Sequence, residues 1–250
     1  MESLYPFLYA DSSNIDAVLD QVRASTTAKA AEIDELRQVI ARRDSERIAR
    51  CASDMAERFA AGGRLFAFGN GGSATDAQQL ATLFMHPDGS GSAHPDGPDG
   101  GFPALPAFGL ANDTSVVTAL CNDVGVEVVF ARQLAAFGGK DDIAVGLSTS
   151  GNSDNLVRAF DEATRRGMLT VGLAGYEGGK MAELASDEDG KPASIDYLFV
   201  APSASVHRIQ EAQTTIYQVL WQLTARLTAE LSPRIQQNTV EVTHVPRHTG

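Results

Sequence analysis

Leu65 to Asp76 read L-F-A-F-G-N-G-G-S-A-T-D, an apolar run that stops at a glycine-rich turn and resumes with small polar residues suited to opening a helix. That is the build of a phosphate cradle. Gly69, Gly71 and Gly72 lack a Cβ, so backbone N–H groups can approach an anion closely, and the following helix turns the positive end of its dipole toward it. Taken alone, the stretch reads equally well as an ordinary strand-to-helix turn. A second turn decides between the two. Ile143 to Ser153 read I-A-V-G-L-S-T-S-G-N-S, another short apolar run, ending in Ser148, Thr149, Ser150, Gly151, Asn152 and Ser153. Hydroxyls and free N–H groups all donate to phosphate oxygens, although one Ser-rich helix start on its own is more often a plain N-cap. Two such loops after two parallel-type strands point to a phosphorylated ligand.

Outward from these turns, apolar runs alternate with helical patterns: Leu65 to Phe68, Ala107 to Leu110, Ile143 to Leu147, Leu169 to Leu173 and Tyr197 to Val200. Strands separated by helices imply βαβ crossovers and a parallel sheet covered on both faces, an α/β fold. Ligands of such sheets bind beyond the carboxyl ends of the strands, so both loops are expected to face one cleft. Before the sheet, Ser13 to Ala61 lack Gly and Pro, and Ile33, Leu36, Ile40, Ile48, Met55 and Phe59 recur at near-helical spacing. This predicts two helices and an N-terminal arm over residues 1–62 that serves oligomerisation. The sheet domain spans 63–232, and a polar tail over 233–250 contains Pro233 and a β-prone patch at Val240 to Val245. The tail is expected to be loosely held or docked on a neighbour. His86 to Pro106 form an insertion in which H-P-D-G occurs twice, read as a mobile, turn-rich loop in preference to a metal site. Ser186 to Ala193 read as acidic surface.

Composition narrows the function classes. At 250 residues and 43% hydrophobic content the chain can bury a full core. A formal net charge of -12 and a pI near 4.8 argue against nonspecific nucleic-acid binding, which needs a basic stripe. Cys51 and Cys121 are too few and too far apart for a disulfide framework or a zinc ribbon and fit a reducing compartment, with the cytoplasm as the expectation. No run approaches the ~18 apolar residues of a membrane span, and Met1 to Ala10 do not read as a signal peptide.

The motifs then become specific. Residues 69–76, with A-N-D-T-S-V-V-T-A-L-C-N-D at 111–123, S-T-S-G-N-S at 148–153, G-L-A-G-Y-E-G-G-K-M-A-E-L at 172–184 and R-I-Q-E-A-Q at 208–213, resemble the phosphoheptose isomerases, which are sugar isomerase (SIS) domain proteins. The match runs in order over nearly all of residues 30–231. The resemblance implies a flavodoxin-like three-layer α/β/α sandwich, a homotetramer, and a ketose phosphate ligand, sedoheptulose 7-phosphate in the namesake enzyme. It implies that Asn70, Gly71 and Gly72, with Ser73 in the same motif, contact the sugar phosphate. Asn122 and Asp123 would meet its hydroxyls, Ser148, Thr149, Ser150 and Ser153 its phosphate, and Gln210 the reacting end. Read from residue type alone, Asn122 and Asp123 fit a helix-end cap equally well.

The reaction chemistry departs from the family. Aldose–ketose isomerisation needs a base to move a proton between adjacent carbons and an acid or electrophile to steady the oxyanion. The resemblance implies a zinc site for this, built from a His and a Glu four residues later on the helix after the first loop, and from a Gln and a His eight residues later on the last long helix. Those positions carry Gln79, Leu83, Gln210 and Gln218. Leu83 has no donor atom, and carboxamides are poor zinc ligands that do not titrate near neutral pH. The expectation is a sugar-phosphate-binding protein with no metal or other cofactor, in which catalysis is absent or altered and a protein partner is engaged through the tetramer surface. The alternative is an active isomerase with a rebuilt site, for which His207, Gln210 and Gln218 are the catalytic candidates. Gln79, Gln210, Gln213 and Gln218 form either a neutral hydrogen-bonding wall or an exposed helix face. His207 and His86 fit a rebuilt site or a helix-end cap, and Asp76 and Glu211 are not distinguished from ordinary helix polarity.

Overall fold

The computed structural model describes residues 15–86, 104–185 and 193–243, from 232 onward as backbone alone. Five strands, β1 (Leu65–Gly69), β2 (Ala107–Gly109), β3 (Ile143–Leu147), β4 (Leu169–Gly175) and β5 (Tyr197–Ala201), pair in parallel in the order β2-β1-β3-β4-β5. β1 and β3 are neighbours in register, Leu65 opposite Ile143 and Gly69 opposite Leu147. Every residue of β1, β3 and β4 is buried, which is why these strands read as unbroken apolar runs and not as alternating ones.

The period of two sorts their side chains between two cores. Leu65, Ala67, Val145, Val171 and Phe199 point into one, beneath α1 (Ile15–Ala60), α2 (Gly72–Met85) and α7 (Val206–Thr243). Phe66, Phe68, Ala144 and Leu198 point into the other. That second core is closed by α4 (Val129–Phe137), α5 (Asp154–Arg165) and α6 (Gly179–Leu184), with α3 (Thr114–Asp123) and a 3₁₀ turn at Val126–Val128 leading into α4. The Phe68 ring stands 5.5 Å from that of Phe130 and 5.4 Å from that of Phe160, so the aromatic centre of this layer lies directly under β1 and β3. The result is the expected three-layer α/β/α sandwich.

Two expectations are corrected. The stretch before the sheet is one continuous helix of 46 residues and not two, because nothing between Ser13 and Ala61 breaks it. Ile33, Leu36, Ile40, Asp44, Ile48, Cys51, Met55 and Phe59 form its buried stripe, at steps of three and four, whereas residues 15–32 are exposed throughout. At the other end, α7 runs through Pro233 to Thr243, so the residues from Val240 to Thr243 are helical and not extended. Most of the His86 to Pro106 insertion, the acidic stretch at 186–192 and the chain ends at 1–14 and 244–250 lie outside the described residues. Among the described residues no helix is long and apolar enough to cross a membrane.

Candidate functional site

The chain leaves β1 toward β2 on one side and later returns to β3 on the other, so a crevice opens between the carboxyl ends of β1 and β3. Both glycine- and serine-rich turns sit there. After β1, Gly71 takes φ +56° and ψ -123°, a backbone that L side chains rarely adopt, and caps α2. Its carbonyl accepts from the N–H groups of Ala74 and Thr75, at 3.0 and 3.3 Å, while the Ser73 N–H donates to the Asn70 carbonyl at 3.0 Å. After β3, the Ser148 N–H donates to the Leu173 carbonyl, and the Ser148 hydroxyl accepts from the Gly151 N–H at 3.0 Å. The Ser150 hydroxyl accepts from the Asn152 N–H at 3.2 Å. A hydroxyl that accepts in this way can still donate its own proton. Gly151 has φ +69°, and a Cβ there would lie 1.9 Å from the Gly178 carbonyl oxygen, so the start of α6 packs straight against this turn. Ser153 caps α5 with its carbonyl, which accepts from Leu156 and Val157.

The two turns are joined. Asn70 Nδ2 donates to Asn155 Oδ1 and Asn155 Nδ2 donates to Asn70 Oδ1, both at 2.9 Å, a closed carboxamide pair between residues 85 positions apart. Asn155 is only 5% exposed. Helix α7 braces both turns from the side. Gln210 lies over Gly72, its Nε2 2.6 Å from where a Cβ would stand, and that nitrogen donates to Asp76 Oδ2 at 3.0 Å. Gln213, fully buried, donates from Nε2 to the Ser148 carbonyl at 3.1 Å. Asn155 was not among the residues expected from the sequence, because its role rests on a contact that no local pattern encodes. Its only signal is a carboxamide in the first turn of a helix, two residues after a Ser cap. Asn70 and Ser153 line a cavity of about 790 Å³ together with Val126, Glu127, Asp154, Asn155, Val157 and Arg158, a size within the range of small-ligand sites.

The remaining expected residues lie on α2, α3 and α7. Asn122 and Asp123 end α3, exposed and hydrogen-bonded to each other at 2.7 Å, outside the lining of that cavity. His207 is exposed in the first turn of α7. Asp76 is half-buried, and that burial holds its carboxyl above the usual carboxylate range, partly offset by the hydrogen bond from Gln210.

Residues 30–175 match the family model of the SIS domain. The phosphoheptose isomerase of Pelodictyon phaeoclathratiforme is 42% identical over 193 residues, covering 77% of this chain and 83% of its own. That of Desulfovibrio desulfuricans is 37% identical and covers 90% of this chain and 98% of its own. The structure of phosphoheptose isomerase from Neisseria gonorrhoeae superposes with a TM-score of 0.69 at 30% identity, over 81% of this chain and 98% of that one. The chain belongs to the phosphoheptose isomerase-like SIS domain family.

In this SIS chain the four positions at which the resemblance implies zinc ligands are spread over different environments. Gln79 and Gln218 are exposed, Leu83 is packed in the core with α1 and α7, and Gln210 is engaged with Asp76. The expected glutamine wall is therefore divided: Gln210 and Gln213 face the turns, and Gln79 and Gln218 face out of this chain. Among the described residues no group of three or more His, Cys, Asp and Glu is placed to hold a metal ion.

Proposed function

We propose that this SIS protein binds a phosphorylated ketose of the sedoheptulose 7-phosphate class in the cradle made by Asn70 to Ser73 and Ser148 to Ser153, and that it lacks the family's zinc-dependent isomerisation or carries it out in altered form. One observation supports the binding half above the others. The two anion-type turns follow adjacent, in-register strands and are tied by the Asn70–Asn155 pair, which supports reading them as one site. The catalytic half rests on donor chemistry. Leu83 offers no atom to a metal, and the carboxamides of Gln79, Gln210 and Gln218 are poor zinc ligands, so the residues present do not fit a zinc site. Binding needs only the turns; isomerisation needs them and a proton-transferring group. The protein then acts by reporting sugar-phosphate occupancy to a protein partner through a homotetramer. Support for assembly is the exposed stretch 15–32 of α1, where Ile15, Val18, Leu19 and Val22 repeat at i, i+3, i+4 and i+7. The free thiols Cys51 and Cys121 suit a cytoplasmic setting.

A second reading, turnover through a rebuilt site, is favoured by Asp76, a half-buried carboxylate one turn from Gly72 with its pKa raised and Gln210 in contact. Incubation with sedoheptulose 7-phosphate, with and without zinc, separates the two. We expect no zinc-stimulated aldose formation. Turnover that zinc stimulates and a chelator abolishes would contradict the proposal; metal-independent turnover lost in Asp76→Asn would establish the second reading.

A further inference from the structure

The turns that form the cradle contain no charged side chain: residues 69–73 are Gly, Asn, Gly, Gly and Ser, and residues 148–153 are Ser, Thr, Ser, Gly, Asn and Ser. The whole chain carries a formal charge of -12. A phosphate dianion is repelled by such a molecule at long range unless cations stand at the site itself. The cavity beside the turns makes the problem sharper, because its lining includes the carboxylates of Glu127 and Asp154.

Two cations meet this need. At the start of α6, the Lys180 N–H donates to Asn152 Oδ1 at 3.0 Å, which seats that residue against the second turn. Its ammonium then reaches Asp154 Oδ1 at 2.7 Å, and Asp154 directly follows Ser153. Arg158 is four residues along α5 from Asp154, on the same face, and lines the cavity with Asn70, Ser153 and Asn155. Lys180 chiefly, and Arg158 more weakly, hold the Asp154 carboxyl below the usual carboxylate range, so both cations act on that one group. The Lys180 and Asp154 side chains are 49% and 68% exposed. Exposed ion pairs are weak, so moving the ammonium from one carboxylate to a neighbouring dianion costs little, and the dianion carries more charge and more acceptors.

Resting on the sugar-phosphate reading above, we propose that Lys180 and Arg158 are the cations that select a phosphorylated ligand for this cradle, Lys180 held on Asp154 in the free protein with Arg158 one turn along the helix, and both drawn to the phosphate when it arrives. Asp154 is then a positioning residue that competes with the ligand. Calorimetric titration of the full chain at low salt tests this. Lys180→Gln combined with Arg158→Gln should bind sedoheptulose 7-phosphate about tenfold more weakly than the native chain, Lys180→Arg should restore most of the loss, and Asp154→Asn should bind about twofold more tightly. The gap should narrow in ~0.5 M salt, where the Debye length is a few ångströms. Unphosphorylated sedoheptulose should distinguish none of the variants, and thermal melts should coincide, since the groups are exposed. Native-like affinity in the double variant, or an equal loss for sedoheptulose, overturns the inference while leaving the cradle standing. A native chain that binds no sugar phosphate overturns the cradle and this inference with it.

Discussion

At the scale of single residues, the carboxamide pair of Asn70 and Asn155 does the most for the site, since it makes one rigid unit of two separate turns. Asn155 is nearly buried and Asn70 exposed, so removing Asn70 strands an amide away from water, which costs about 1–3 kcal/mol. Asn70→Ala should therefore lower both the melting temperature and the affinity for sugar phosphate, and Asn155→Leu added to it should cost less than the sum, a double-mutant cycle that calorimetry and melts can close. Additive losses would show that the two side chains act independently. Asp76 gives a pH prediction. Its folded pKa lies above the ordinary aspartate value, so protonated Asp76 favours folding at low pH and that contribution is lost as pH rises through the raised value. Asp76→Asn keeps an acceptor for Gln210 without the buried charge. Its melting temperature relative to the native chain should rise between about pH 3.5 and pH 7. A constant difference would contradict the raised pKa.

At the scale of elements, the second turn depends on the approach of α6. A Cβ at Gly151 would collide with the Gly178 carbonyl, and its φ of +69° already disfavours a side chain. Gly151→Ala should destabilise the fold by about 2–4 kcal/mol in denaturant titrations, from strain and from displacing α6. Loss of less than ~0.5 kcal/mol, the size of an ordinary surface change, would mean that α6 is not held by this contact. The strands and both turns were legible in the sequence because a parallel sheet buried on both faces writes itself as short apolar runs, and glycine and serine mark where the backbone must bend tightly. The single helix α1 was not, because the side chains of residues 15–32 are exposed and add no burial stripe to the one that starts at Ile33. Asn155 and Lys180 were illegible for a different reason, as was the bond from Gln213 to Ser148: each is a contact with Asn70, Asp154 or Ser148 that exists only once the strands have paired.

At the scale of the molecule, one helical layer of the sandwich has a long extension beyond the sheet. The stripe of Ile15, Val18, Leu19 and Val22 is exposed among the described residues, and apolar side chains at such spacing are suited to a second copy. Val18→Glu combined with Leu19→Glu should lower the mass seen by light scattering from that of a tetramer without changing the circular dichroism, since neither side chain is part of the described core; an unchanged mass would place the assembly contact elsewhere. The proposed function requires that the joined turns hold a phosphorylated sugar. Calorimetric titration of sedoheptulose 7-phosphate into the native chain and into Ser150→Ala combined with Ser153→Ala measures this directly. Saturable binding to the native chain, weakened at least about tenfold in the variant at an unchanged melting temperature, is the predicted result. No binding to the native chain, or equal binding to both, would contradict it.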